Sequence, residues 1–332
     1  MIRMNLGANS YNIEVLRGAL KRAGEFLNLE RKVMIITDEG VPTEYAEALA
    51  KQCKESYIHV VKQGEGSKSL QTAEEILTKM LSLHFSRKDC VVSVGGGVVG
   101  DLGGFVAALY MRGIDFYNVP TTVLSQVDSS IGGKTAVNLA GIKNIIGAFY
   151  QPKAVLIDPD TLKSLSKRQI VNGLFEAVKM GATSDASLFQ LFLEEDWKAN
   201  LDLIIEKALH VKKYVVEEDE KESHLRKILN FGHTIGHGFE SAAHGRYLHG
   251  ECVALGMLYM SSEEVRKQLL SIYKKLGFEV PQASEFDIEE VKEAICHDKK
   301  ASAAHCSVVY VPEIGAGEIQ EWTMERVLER LE

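Results

Sequence analysis

The sequence predicts an α/β domain built on a parallel sheet, followed by an all-α domain. Two observations carry that expectation. In the first half of the 332 residues, short apolar runs alternate with helical patterns, as strands covered by helices do. After Pro159 the β-branched runs nearly vanish, and helical periods follow one another from Lys167 to Leu276 with few turn signals. The boundary is placed near Asp160, giving domains of residues 1–159 and 160–332.

The first strand expected is Lys32 to Ile36, an apolar, β-branched run of the kind buried on both faces of a sheet. A helical stretch follows from Thr43 to Gln52, then a strand from Tyr57 to Val61 and a second helical stretch from Thr72 to Leu83. Cys90 to Val94 is the next strand, and Phe116 to Val119 and Ala154 to Ile157 complete the set. One late strand, Ser307 to Val311, ends in Pro312 and precedes a last helix from Met324 to Leu331. There are no repeats and no low-complexity linker.

Composition limits the function. Apolar residues make up 45% and charged residues 25%, the balance of a globular protein rather than a disordered one. A formal charge of −8 argues against a nucleic-acid surface spread over the fold, while leaving room for local basic pockets that hold small anions. Five cysteines, Cys53, Cys90, Cys252, Cys296 and Cys306, are scattered and never paired as C-x-x-C, and read as reduced thiols. Met1 to Tyr11 has no apolar core behind a basic start, and no apolar run approaches the roughly 20 residues of a spanning helix. The expectation is a cytoplasmic protein with small-molecule ligands, no nucleic acid and no membrane.

Three stretches carry chemistry. In "CVVSVGGGVVGDLGGFVA", Gly95, Gly97 and Gly100 fit G-x-G-x-x-G directly after a strand and at the start of a helix. There the backbone can approach a pyrophosphate, and the N–H groups of the helix start favour its charge. A packed strand-to-helix turn fits the same letters. Asp115 lies 20 residues past Gly95, where a ribose-binding acid belongs, but the motif follows a third strand rather than a first, so Asp115 is not assigned. In "DSSIGGKT", Asp128 stands where a P-loop needs glycine, which leaves Lys134 in a glycine-rich turn suited to one phosphate or carboxylate, or simply exposed. In "NFGHTIGHGFE", His233 and His237 share a helix face, an outline that resembles H-E-x-x-H; Thr234 replaces the glutamate, so water activation for peptide hydrolysis has no local base. Candidate partners for a metal are His249, at the start of the next helix, and Glu176, a carboxylate in an apolar helix one turn from Lys179.

The whole pattern resembles the 3-dehydroquinate synthase family, over nearly the full chain. The resemblance rests on "GEGSK" from Gly64, "GGGVVGDLGGFVA" from Gly95, "RG" at Arg112, "VPTT" at Val119, "QVDSSIGGKTAVN" from Gln126 and "KNIIGAFYQP" from Lys143. It continues through "EAVKMG" from Glu176, "LNFGHTIGHGFE" from Leu229, "HGE" from His249 and "HDKK" from His297. It implies an α/β N-terminal Rossmann-like NAD-binding domain followed by an all-α C-terminal metal- and substrate-binding domain, with the active site between them. It implies zinc or cobalt on Glu176, His233 and His249, with His237 facing the substrate's phosphate instead.

The same resemblance puts NAD against Glu65, Lys68, Gly95, Gly96, Gly97, Val98, Val99, Gly100, Asp101, Thr121, Thr122, Lys134, Lys143, Thr161, Leu162 and Ser164, with Asp38 in "ITDEG" a candidate adenosine contact. Substrate contacts fall on Asp128, Lys134, Asn144, Lys179, Lys212, Arg226, Asn230, His237 and Lys299. Relatives are usually homodimers, and Arg112 is a candidate to reach the neighbouring subunit's site. The implied reaction converts 3-deoxy-D-arabino-heptulosonate 7-phosphate into 3-dehydroquinate and phosphate. Its steps are transient oxidation by NAD, phosphate elimination, re-reduction and intramolecular aldol closure, a step of aromatic amino acid biosynthesis. The alternatives are other sugar-phosphate cyclases, metal-dependent alcohol or glycerol dehydrogenases, and a non-enzymatic NAD- and metal-binding sensor.

Overall fold

Unbroken apolar runs form strands buried on both faces because successive side chains point to opposite sides of a sheet. In the computed structural model, which describes residues 1–194, 196–298 and 305–331, the first half of the chain follows this rule. Ile2–Met4 and Tyr11–Val15 form β1 and β2, and Lys32–Asp38 forms β3. Helix α1 (Thr43–Ala50), β4 (Glu55–Val61), α2 (Leu70–Ser82), β5 (Cys90–Gly95), α3 (Gly97–Leu109) and β6 (Asp115–Pro120) follow. A hairpin of β7 (Lys134–Leu139) and β8 (Ile142–Phe149) then leads to β9 (Ala154–Ile157).

Seven strands make one sheet in the order β1-β2-β9-β6-β5-β3-β4. All neighbours are parallel except β1 and β2. Met34, Ile36, Val91 and Phe116 pack on one face with Ile76 and Met80 of α2 and Leu102 and Phe105 of α3. Val33, Ile35, Cys90, Val92 and Val119 pack on the other with Ala46 and Leu49 of α1 and the turn holding Ala19, Leu20 and Ala23. Each fully buried aliphatic side chain contributes about 1.5–3 kcal/mol, so this two-sided burial holds the layer together.

Four strands of this half were not expected. β1 is three residues long, and β2 joins the sheet only through its parallel register with β9, Asn12 opposite Ala154. The β7–β8 hairpin turns at Ala140 and Gly141, with φ of 51° and 80°, between paired Leu139 and Ile142. Two positive φ values mark a primed turn, which alanine signals weakly. β8 is almost wholly exposed, so it has no buried stripe to betray it.

Lys167–Glu332 is the second of two compact units, the first being Met1–Ser166. Asp160, the boundary expected from sequence, therefore lies inside the first unit, in the short helical turn Pro159–Ser164. The second unit contains α4 (Lys167–Ser184), α5 (Ala186–Glu194), α6 (Leu201–Glu218), α7 (His233–Ala242), α8 (His249–Tyr259), α9 (Glu263–Leu276) and α10 (Ile288–Asp298). Helix α9 shows why such segments stop where they do. Ser262 caps Val265 N, Glu263 and Glu264 open the helix, Lys274 and Lys275 close it, and Gly277 ends it at φ 76°.

The unit is helical but not purely so. The late strand runs His305–Tyr310 (β10) and pairs antiparallel with β11 (Glu318–Thr323), ahead of α11 (Met324–Glu329). β11 escaped the sequence reading because only Trp322 of its residues is buried. Among the described residues no helix is long and apolar enough to cross a membrane.

Candidate active site

The sheet order explains where the glycine motif sits. From β3 the chain goes to β4 on one side and then crosses to β5 on the other, so the strand order reverses between β3 and β5. Ligands of open α/β sheets bind outside the carboxyl ends of the strands at such a point. Gly95 ends β5 there and α3 begins at Gly97, with no side chain capping its first turn. Gly96 and Gly97 face Thr122 and Ser129, each of which a Cβ would approach to 3.1 Å. Uncapped N–H groups beside bare glycine backbone fit the pyrophosphate of a dinucleotide. The motif follows β5 rather than the first strand because β5 is one of the two strands that flank the reversal. Asp115 starts β6 at the opposite end of the sheet, bound to Arg31 at 2.6 Å, so leaving it unassigned agrees with its place.

Around this turn lies a polar network. Lys68 is 5% exposed, and its Nζ donates to Asp101 at 2.5 Å and to Asn144 Oδ1. Asn138 Nδ2 donates to Glu65 at 2.8 Å, and Asn138 Oδ1 accepts from Asn144 N at 2.8 Å. Asn144 itself is left-handed, φ 57°. Thus Asn138, to which the sequence analysis gave no role, bridges Glu65 and Asn144, and Lys68 links Asn144 to Asp101.

Other expected residues are placed differently. Asp38 ends β3, its Oδ1 accepts from Gly40 N at 2.8 Å, and burial pushes its carboxyl above the usual range. Thr121 and Thr122 follow β6, and Asp128 sits in a single π-turn, Ser125–Ser129, a form often found at functional sites. Thr161 is occupied within the fold, its hydroxyl donating to Asp158 O at 2.7 Å; Leu162 is buried and Ser164 caps the same turn. Lys134, at the start of β7, and Lys143, in β8, are exposed, as is Arg112, which has φ 68° between Met111 at 50° and Gly113 at 117°. Val98 and Val99 lie in the first turn of α3, Val99 fully buried.

In the second unit α7 and α8 approach closely: a Cβ on Gly256 would stand 1.9 Å from Gly232 O, and Gly232 turns into α7 at φ 78°. His233 and His249 each open one of these helices. Glu176 Oε1 lies 3.9 Å from His233 Nε2 and 3.6 Å from His249 Nε2, and the three ligand atoms fall within 4.8 Å of one another. That oxygen is buried and has no hydrogen-bond partner. Ligand atoms about 2.1 Å from a tetrahedral ion stand roughly 3.4 Å apart, so an orphaned carboxylate oxygen and two imidazole nitrogens at these separations fit a divalent metal. The other oxygen, Oε2, accepts from Lys179 Nζ, and both side chains are buried.

Charge follows from this packing. Burial opposes ionisation of Glu176, but Lys179 and the two imidazoles outweigh it and hold the carboxyl well below the usual range. Burial and then the Lys179 charge push His233 down to about 3. Burial also works against a charged His249, yet Glu176 and Glu240 push it up to about 9. His237 is exposed beside the triad, its ring 5.3 Å from that of His233 and 5.8 Å from that of His249.

Two more of the expected basic side chains are buried. Lys212 on α6 is 5% exposed, and Arg226 is 2% exposed with Nη1 donating to Glu220 O at 2.5 Å. Asn230 Nδ2 donates to Glu222 at 2.9 Å. Both α6 and the turn Leu225–Asn230 pack on α4, the helix of Glu176 and Lys179. Asp219, which the sequence reading passed over, shapes this turn by accepting from Ser223 N and Oγ, His224 N and Arg226 N. Lys299 lies outside the described residues.

Family models described as the 3-dehydroquinate synthase N-terminal and C-terminal parts match residues 58–172 and 173–301. The 3-dehydroquinate synthase of Streptococcus thermophilus is 40% identical, covering 100% of this chain and 99% of that protein. Among solved structures, 2-deoxy-scyllo-inosose synthase, complexed with carbaglucose-6-phosphate, NAD+ and Co2+, superposes with a TM-score of 0.89 at 24% identity over 99% of this chain and 98% of that one. The 2-epi-5-epi-valiolone synthase of Streptomyces hygroscopicus, with NAD+ and Zn2+ bound, gives 0.86 at 26% identity over 97% and 95%.

Proposed function

Because the chain belongs to the 3-dehydroquinate synthase family, we propose that it converts 3-deoxy-D-arabino-heptulosonate 7-phosphate into 3-dehydroquinate and phosphate, using NAD and a divalent metal. The observation that carries the reading is the orphaned Glu176 oxygen facing two imidazole nitrogens in a chain 40% identical to such an enzyme. When bound, the metal would supply polarisation of one substrate hydroxyl and NAD a reversible hydride acceptor, chemistry that would acidify the neighbouring C–H and favour loss of phosphate.

The chain's own residues then have defined tasks. Glu176, His233 and His249 hold the ion, and zinc suits a set of two nitrogens and one oxygen that leaves a position open. The uncapped start of α3 takes the pyrophosphate, while Lys68, fixed by Asp101 and Asn144, and Glu65 hold the nucleotide at the same edge. Asp38, Thr121, Thr122, Lys143 and the Thr161–Ser164 turn complete the cofactor's surroundings. Lys179, Lys212, Arg226 and His237, with Asp128, Lys134, Asn144, Asn230 and Lys299, bind and orient a substrate bearing a carboxylate and a phosphate. Buried cations hold such anions more strongly than exposed ones because water does not screen them. The N-terminal unit is the nucleotide-binding part and the C-terminal unit the metal- and substrate-binding part.

The chain works as a homodimer in the cytoplasm. Three successive residues with positive φ set exposed Arg112 beside exposed Leu109 and Met111, and β8 leaves Ile142, Ile145 and Phe149 exposed, which supports coverage by a second copy. Among the described residues no cysteine is in a disulfide, which suits a reducing compartment. The test is phosphate release from the heptulosonate phosphate. Release that needs both NAD and metal is expected; none from a metal-loaded, NAD-saturated sample would remove the reading.

A further inference from the structure

Each histidine of the triad has its second ring nitrogen taken by an oxygen that can only accept. His233 Nδ1 lies 3.1 Å from the backbone oxygen of Phe231, and His249 Nδ1 lies 2.9 Å from Glu240 Oε2. A carbonyl and a carboxylate bring no hydrogen, so both rings carry theirs on Nδ1, which leaves Nε2 as the ligand atom facing Glu176. For His233 the accepting group is main chain and comes with the turn into α7. For His249 it is a side chain from the last turn of α7, and nothing in the helix period demands it.

The backbone of His249 is fixed separately. Arg168, Asn172 and Glu176, four apart on one face of α4, meet the start of α8 in succession. Arg168 pairs with both oxygens of Glu251 at 2.7 Å, and Asn172 Oδ1 accepts from Gly250 N at 2.7 Å. These contacts set where the His249 backbone lies but leave its ring free to turn. We propose that Glu240 is a positioning residue that locks the ring plane and tautomer of His249 and so sets the affinity for the metal without touching it. The inference rests on the metal reading above and deepens it.

Glu240 has a rival role, since its oxygen also lies within 4.8 Å of ligand atoms of His237 and His249. The 2.9 Å separation from Nδ1 is a hydrogen-bond length, shorter than the roughly 3.4 Å between two ligands of one tetrahedral ion. The atom without a partner is on Glu176 instead. The geometry thus favours one ion, on the Glu176 side, with Glu240 behind His249.

The test is titration of cobalt(II) into the metal-stripped full chain, reading bound cobalt by its visible absorption and affinity by chelator competition. Melting of the metal-free protein and NAD binding serve as folding controls. Wild type is expected to take one cobalt. Glu240→Ala should bind it 10–100-fold more weakly while the metal-free melting temperature holds. Glu240→Gln, which keeps an accepting oxygen, should recover most of the affinity. Wild-type affinity in Glu240→Ala would overturn the proposal. So would equal losses in both variants with lowered metal-free melting, which indicates packing alone, or two cobalts per wild-type chain of which Glu240→Ala loses one. A wild-type chain that takes up no cobalt would instead sink the metal reading itself.

Discussion

Glu176 Oε1 and His249 Nε2 lie 3.6 Å apart, too far for a good hydrogen bond and close enough to share an ion. The other Glu176 oxygen is bound to buried Lys179, so on the proposed reading one carboxylate would serve both an ion and a structural pair. Glu176→Gln should therefore do two things: abolish metal uptake, and destabilise the metal-free chain by about 3 kcal/mol through the broken buried pair. His233→Ala should lose metal and turnover together with a smaller loss of stability. Metal content by atomic absorption and denaturant unfolding of the stripped proteins check both.

Lys68 is held by Asp101 and Asn144 and is nearly buried. Lys68→Met should weaken NAD binding by about 10–100-fold, the loss of one charged hydrogen bond of roughly 1.5–3 kcal/mol. Metal content should stay at the wild-type level. Titration of NAD fluorescence quenching and metal analysis separate the two effects; unchanged NAD affinity would remove Lys68 from the cofactor site.

Gly103 of α3 packs so closely on β5 that a Cβ would stand 2.0 Å from Ser93 Oγ, a hydroxyl that donates to Val99 O at 3.1 Å. Gly103→Ala should destabilise the protein by about 1–3 kcal/mol through overpacking. Adding Ser93→Ala should recover part of the loss. A double-mutant cycle in urea measures the coupling, and strictly additive losses would contradict this contact.

Asp219 opposes burial with backbone hydrogen bonds from His224, Arg226 and Ser223, which hold its carboxyl well below the usual range. A carboxyl depressed on folding adds stability that is complete above its unfolded pKa, about 3.9, and is lost as pH falls toward the folded value. Asp219→Asn sets an amide against donors and should cost about 1–3 kcal/mol near neutral pH. The gap between variant and wild type should hold from pH 8 to 5 and narrow below about pH 4. Unfolding midpoints across that range read it directly.

How much of this was legible in the sequence varies with the physics. β5 and α3 were visible because "CVVSVGGGVVG" joins an unbroken apolar run to glycines at a helix start, and local chemistry alone requires both. The β7–β8 hairpin was hidden, since its outer strand is exposed and its turn uses Ala140. The i, i+4 spacing of His233 and His237 pointed to a shared role, yet the atoms gathered near His233 come from α4 and α8, at a sequence distance no period encodes. Glu176 could be singled out because a carboxylate in an apolar helix must find a partner. Glu240 could not, because in "GFESAAH" it reads as an ordinary acid until the fold brings His249 against it.

The central claim is that one substrate hydroxyl is oxidised only transiently, in a reaction that needs both NAD and a divalent metal. It is tested most directly by following absorbance at 340 nm and phosphate release together on the heptulosonate phosphate. The account predicts stoichiometric phosphate with no net NADH at completion, and no phosphate release after chelation. Steady accumulation of NADH, or phosphate released by chelated protein, would contradict it.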